Sequence, residues 1–141
     1  MSELQSSCVI VTGCDYGFGR AIAIHLHRLG TTVYAGVLSQ QSAEKLIALV
    51  ENSENRMRPI VMDVTKQKDV NQAVKTVLKS GLKLRACINN AGISAFGWCE
   101  SLPVSTYKKN MEVNFFGLVR VTKAFLPLLR ASQGRLINMG S

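Results

Sequence analysis

Residues 9–20 read Val-Ile-Val-Thr-Gly-Cys-Asp-Tyr-Gly-Phe-Gly-Arg: an apolar strand, a glycine-rich turn and the start of a helix. A dinucleotide pyrophosphate needs that order, because it must meet bare backbone and a helix N-terminus in one place. Gly13 permits the tight turn out of the strand, Gly17 removes the Cβ that would block the phosphates, and Gly19 lets the helix lie close to the sheet. Unpaired N–H groups and the helix dipole then favour the anion. The spacing Thr12-Gly13-x-x-x-Gly17-x-Gly19 departs from the common Gly-x-Gly-x-x-Gly, so the turn decides the fold only together with its surroundings.

Outward from the turn, strand and helix patterns alternate. Residues 7–12 form a short apolar strand. Ala21, Ile22, Ile24, Leu26 and Leu29 give helical spacing over 17–29, and Gly30 fits the position that ends that helix. Further strands are expected at 32–37, 58–62, 85–89 and 135–139, and helices at 42–50, 68–79 and 104–130, with Pro127 kinking the end of the last. Near-continuous apolar strands alternating with helices imply an α/β fold, a doubly wound parallel sheet covered on both faces. Right-handed crossovers put the first strand in the centre, the second and third on one side, and the fourth and fifth on the other. The C-terminal ends of strands one, four and five then meet where a ligand binds. No repeat or linker interrupts the pattern, so residues 1–141 read as one domain.

The composition agrees. A chain of 141 residues with 47% hydrophobic and 18% charged residues can bury a core and carries no signature of disorder. The longest apolar runs fall far short of a membrane span, and Met1-Ser-Glu-Leu-Gln begins neither a signal peptide nor an anchor. Cys8, Cys14, Cys87 and Cys99 form no Cys-x-x-Cys pair, and two of them fall in strands expected to be buried. Free thiols in a reducing compartment are the reading. The net charge of +8 comes with basic residues recurring as Lys66, Lys68, Lys75, Lys79, Lys83 and Arg85 through one stretch and Arg120, Lys123, Arg130 and Arg135 through another. Solvated helix faces explain them first, a surface resting on anionic membrane second. No aromatic residues interleave with them, which argues against nucleic acid as a partner.

The strand ends carry the chemistry. After strand four comes Asn89-Asn90-Ala91-Gly92, whose small residues admit a cofactor to the backbone while the Asn side chains tie strands together. After strand five comes Gly140-Ser141, and Asp63-Val64 closes strand three, where an Asp can accept a hydrogen bond from an adenine amino group. Each has a plainer explanation alone: a turn, a cap, a loop serine and, for Asn114, a helix side chain bonded to a nearby carbonyl. Their joint placement at the strand ends outweighs those explanations.

In these motifs the chain resembles the N-terminal part of the short-chain dehydrogenase/reductase family over essentially its whole length. Thr12-Gly13-x-x-x-Gly17-x-Gly19 is similar to the family's cofactor turn, Asp63-Val64 to its adenine motif and Asn90-Ala91-Gly92 to its strand-four motif. Asn114, in Val-Asn-Phe-Phe-Gly, and Ser141 resemble the asparagine and serine of the catalytic tetrad. Finer wording, such as Val-Thr-Gly-Cys-Asp-x-Gly-Phe-Gly and Tyr-Ala-Gly-Val-Leu, is similar to the branch of retinol, 17-beta-hydroxysteroid and 3-hydroxybutyrate dehydrogenases. The family's proton chemistry is carried by a Tyr-x-x-x-Lys pair after strand five. Here Tyr16, Tyr34 and Tyr107 are followed four residues later by Arg20, Leu38 and Met111. The expectation is therefore a fragment or truncated product of an enzyme, a Rossmann domain incomplete at its C-terminus.

The resemblance implies an NAD(P)-dependent oxidoreductase interconverting a hydrophobic alcohol (retinoid, steroid or hydroxy acid) and its carbonyl, with no metal. Ser141 would hydrogen-bond the substrate oxygen, and Asn114 would hold a water linking the Lys to solvent. Cofactor contacts are expected from Thr12, Gly13, Asp15, Tyr16, Gly17, Phe18, Gly19, Val37, Asp63, Val64, Asn90, Ala91 and Gly92. Folds that prefer NAD commonly place an acid at the end of strand two, where this chain has Val37. With neither an acid for the ribose hydroxyls nor a base for a 2′-phosphate, NAD is expected and NADP left open. The resembling enzymes point to an intracellular place, cytoplasmic or on endoplasmic-reticulum or mitochondrial membranes, with peripheral membrane association and a homo-oligomeric full-length protein. The alternative is a non-catalytic nucleotide-binding or interaction module. His25 and His27, on the first helix, are expected in surface or packing contacts.

Overall fold

Side chains in β1 (Ser7–Val11) alternate between two cores: Cys8 and Ile10 face one, Val9 and Val11 the other. The computed structural model describes residues 6–51 and 54–140. Among them the chain continues through α1 (Gly17–Arg28), β2 (Thr32–Val37), α2 (Gln40–Ala48), β3 (Met57–Val61), α3 (Gln67–Lys79) and β4 (Lys83–Asn89). It ends with α4 (Val104–Met111), a π-helical segment (Glu112–Gly117), α5 (Leu118–Ser132) and β5 (Arg135–Asn138). The strands form one parallel sheet in the order β3-β2-β1-β4-β5, the doubly wound arrangement expected from the alternating pattern.

Each sheet face is closed by helices presenting an apolar stripe. Val70, Ala73 and Val77 of α3 and Val121, Phe125 and Leu129 of α5 recur at helical spacing and cover Cys8, Ile10 and Cys87. Phe125 is fully buried there, a position where truncation to Ala typically costs about 3–5 kcal/mol. On the other face, Ala23 of α1 and Ala43 and Leu46 of α2 pack over Val9, Val11, Val33 and Val37. Gly30, at φ 87°, ends α1: its N–H donates to His27 O and the Thr31 N–H to Leu26 O, a Schellman closure. His27 packs in the interior, its Nε2 donating to Glu51 O at 3.0 Å.

Local chemistry moves several boundaries. Helix α2 starts at Gln40 rather than 42 because the Ser39 hydroxyl accepts from the Ser42 N–H at 3.1 Å. Strand β4 starts at Lys83 because Ser7 pairs with it across the sheet. The expected continuous helix over 104–130 is interrupted, but not at Pro127, through which α5 runs to Ser132. The departure from α geometry lies at 112–117, a wide turn that no sequence period signals. A Cβ on Gly117 would lie 2.6 Å from Val64 Cγ2, so the π segment rests on the loop after β3. Arg120 holds it there, donating to Val64 O at 2.7 Å and Glu112 Oε1 at 2.9 Å. Arg120 is thus an internal bridge, unlike Lys66, Lys68, Lys75 and Lys79, which are exposed.

Candidate functional site

The glycine turn is fastened on both sides. Toward β4, Thr12 Oγ1 accepts from the Asn90 and Ala91 N–H groups at 3.0 and 2.9 Å, and Asn90 Nδ2 donates to Thr12 O and Gly13 O, both at 3.1 Å. Toward β2, the Cys14 N–H donates to Gly36 O at 2.8 Å and the Leu38 N–H to Asp15 Oδ1 at 3.0 Å. Asn89 extends the tie to β5, donating from Nδ2 to Thr122 Oγ1 and Asn138 Oδ1. The Asn-Asn-Ala-Gly stretch is therefore a cross-sheet fastener as well as a turn.

The glycines divide the work. Gly13, at φ 70°, turns the chain where a Cβ would come within 2.8 Å of Ala91 Cα. On Gly19 a Cβ would strike Gly13 O and Asn90 Nδ2, so its absence brings α1 against the β1–β4 crevice. Gly17, at φ 61°, differs: a Cβ there would meet nothing within 4 Å. Open space lies above the N-terminus of α1, and Tyr16, the N-cap, makes no side-chain cap bond. The first N–H groups of the helix are thus left for an anion.

This turn forms one wall of a cleft of about 710 Å³, inside the range of about 300–1,000 Å³ usual for ligand sites. Gly13, Asp15, Tyr16, Gly17, Phe18, Asp63, Val64, Asn90, Ala91 and Gly92 line it, as the sequence places them. Thr12 and Gly19 stand behind the wall and shape it. Val37 is 1% exposed and turned into the core; Gly36 and Leu38 on either side line the cleft instead. Met62, Thr65 and Ile93 complete the strand-end loops. Lys109, Glu112 and Val113 close the far side; their i, i+3, i+4 spacing marks one helix face and could have pointed to them.

Asn114, on the π segment, accepts from the Ile93 N–H at 2.8 Å and donates to Ile93 O at 2.7 Å. It clamps the backbone of a lining residue instead of bonding within its own helix. Ser141 lies outside the described residues. Tyr34 is buried, its hydroxyl accepting from Arg58 at 2.9 Å.

Electrostatics favour a ready acceptor at Asp63. Burial is the largest single influence and pushes its carboxyl up, but two hydrogen bonds from Thr65 and the Lys66 ammonium together outweigh it. The carboxyl is held below the usual value. Burial pushes the Cys8 thiol up to about 11 and those of Cys14 and Cys87 to about 12, so these serve as small apolar core residues. Among the described residues no helix is long and apolar enough to cross a membrane.

A family model described as short chain dehydrogenase matches residues 7–141. The chain is 44% identical to the mitochondrial D-beta-hydroxybutyrate dehydrogenase of Rattus norvegicus over 97% of its own length and 41% of the relative's. It is 46% identical to estradiol 17-beta-dehydrogenase 2 of Rattus norvegicus over 98% of its length and 37% of the relative's. The chain thus spans about two fifths of the length of these curated relatives. Among solved structures, an alcohol dehydrogenase from the archaeon Thermococcus sibiricus, complexed with 5-hydroxy-NADP, superimposes with a TM-score of 0.85. It is 28% identical, over 94% of this chain and 57% of that one.

Proposed function

The chain belongs to the short-chain dehydrogenase family, and we propose that its cleft holds a nicotinamide dinucleotide in an oxidoreductase that interconverts a hydrophobic alcohol and its carbonyl. The observation that carries this reading is the uncapped N-terminus of α1 beneath the open space at Gly17, at the point where the strand order reverses between β1 and β4. Relatives named for a hydroxy acid and for estradiol support an alcohol or ketone substrate, and retinoids fit the same apolar chemistry. We assign NAD as the cofactor.

Each residue then has a task. The α1 N-terminus and Gly17 receive the pyrophosphate. Asp63, held ionised and oriented by Thr65, accepts from the adenine amino group. Gly92 and Ala91 let the ligand approach the β4 backbone, and Asn114 fixes the Ile93 backbone at the edge of the site. A bound nicotinamide supplies the hydride acceptor. Ser141, from its place after β5, is assigned to orient the substrate oxygen. Peripheral membrane association and self-association of the full-length protein belong to the same proposal, with exposed lysines on α3 available to anionic lipid.

Binding tests it. Calorimetry should show that the protein binds NADH, and that Gly17→Val abolishes binding while the protein stays folded. Two effects act together there: a branched side chain fills the anion's place, and φ 61° strains any L-residue. Undiminished affinity in the Gly17→Val variant would overturn the reading. The second reading, a nucleotide-binding module without catalysis, is favoured for these residues alone because none of Tyr16, Tyr34 and Tyr107 has a Lys four positions on.

A further inference from the structure

Nothing in the sequence of β2 provides an acid for the adenosine ribose: Val37 occupies the strand end and is turned into the core. Across the gap, however, Asp15 reaches over from the glycine turn, and its Oδ1 accepts from the Leu38 N–H at 3.0 Å. That bond sets a carboxylate at the C-terminal end of β2 although it is carried by the loop after β1. Both Asp15 and Leu38 line the cleft, and Asp15 is only partly buried. Its second oxygen, Oδ2, takes part in no hydrogen bond or ion pair with any described residue, so it is free to accept from a ligand.

We infer that Asp15 is the residue that selects NAD over NADP, accepting from the adenosine ribose hydroxyls and repelling a 2′-phosphate. The inference rests on the dinucleotide reading of the cleft and adds to it the group that discriminates. Two features of the site support it. A carboxylate accepts from two vicinal hydroxyls but has no donor for a phosphate, and like charges brought together in a desolvated cleft are costly. The remaining charges add to the effect: among the described residues, Asp63 and Glu112 also line the cleft, against Lys109 as the single lining cation. Lys109 belongs to α4, and Arg120 is committed to Val64 and Glu112. Among the described residues that line the cleft, none carries a guanidinium that could receive a 2′-phosphate.

The bond to Leu38 also makes the test clean. Asp15→Asn keeps an Oδ1 that accepts from the Leu38 N–H and removes only the charge, whereas Asp15→Ala removes both. NADH and NADPH are titrated separately against the wild-type protein and both variants, with binding read by calorimetry and folding by melting temperature. The wild type should bind NADH at least about tenfold more tightly than NADPH. Asp15→Asn should narrow that ratio by at least about fivefold, chiefly through tighter NADPH binding, with its melting temperature unchanged. Asp15→Ala should narrow the ratio too and weaken both ligands, because the turn loses one of its two ties toward β2. A ratio unchanged in Asp15→Asn, or a wild type that prefers NADPH, overturns the inference while leaving the dinucleotide reading intact. A wild type that binds neither ligand overturns the dinucleotide reading itself, and the inference with it.

Discussion

Asp63 shows how a few neighbours set the behaviour of one side chain. Thr65 donates to its Oδ1 from both N–H and hydroxyl, Lys66 lies 3.8 Å from Oδ2, and the carboxyl is held below its usual value against the opposing effect of burial. The folded chain therefore binds this proton less readily than the unfolded chain. The resulting stabilisation is complete above the unfolded value of about 4 and is lost as pH falls through the lowered folded value. Asp63→Asn should lower stability near neutral pH, and its deficit relative to wild type should shrink in acid. Urea midpoints measured at about pH 7 and about pH 3 check this, and a deficit equal at both would refute it. Adenine nucleotide affinity should fall in the same variant.

Among the elements, α1 and the π segment are positioned by what their glycines lack. A methyl at Gly19 would strike Gly13 O and Asn90 Nδ2, both parts of the fastened turn with little freedom to yield. Gly19→Ala should therefore push α1 off the sheet, destabilise the fold by about 1–3 kcal/mol and weaken dinucleotide binding at the same time. Chemical denaturation with calorimetry measures both; wild-type stability in this variant would show that the close approach is not required. The π segment is set differently. Its wide turn brings Asn114 onto Ile93 and lets Gly117 rest on Val64, with Arg120 bridging the two sides. One irregular turn thus links the loop after β3 to the loop after β4.

At the level of the whole molecule, none of the tyrosines among the described residues is followed four positions later by a lysine. Tyr34 is buried against Arg58, the Cys99 thiol beside Tyr107 pushes its pKa up, and Tyr16 is 72% exposed. Acid–base catalysis needs a positioned group with a matched pKa. Residues 1–141 expressed alone should therefore bind NADH yet reduce no NAD with hydroxybutyrate, steroid or retinol. Absorbance of the reduced cofactor reads the outcome, and turnover above background with any of the three would sink the claim. Strand β5 forms one edge of the sheet, with Leu136 39% and Ile137 40% exposed, an edge open to further pairing.

By itself the sequence determined the order of elements, the parallel sheet with β1 at its centre and most of the cleft lining. Those features follow from local signals: alternation at period two, helical spacing, glycines where a turn must close, and the fixed hand of the crossovers. Tertiary structure alone decided the rest. The interruption at 112–117 depends on Val64 and Ile93, far away in the chain, and Arg120 reads as a surface charge until the fold brings Val64 O to it. The acid absent from the end of β2 is supplied by Asp15, because parallel pairing of β1 with β2 sets the loop after one strand beside the end of the other. Periodicity reports which face of an element is buried; only the pairing of strands reports which loops become neighbours.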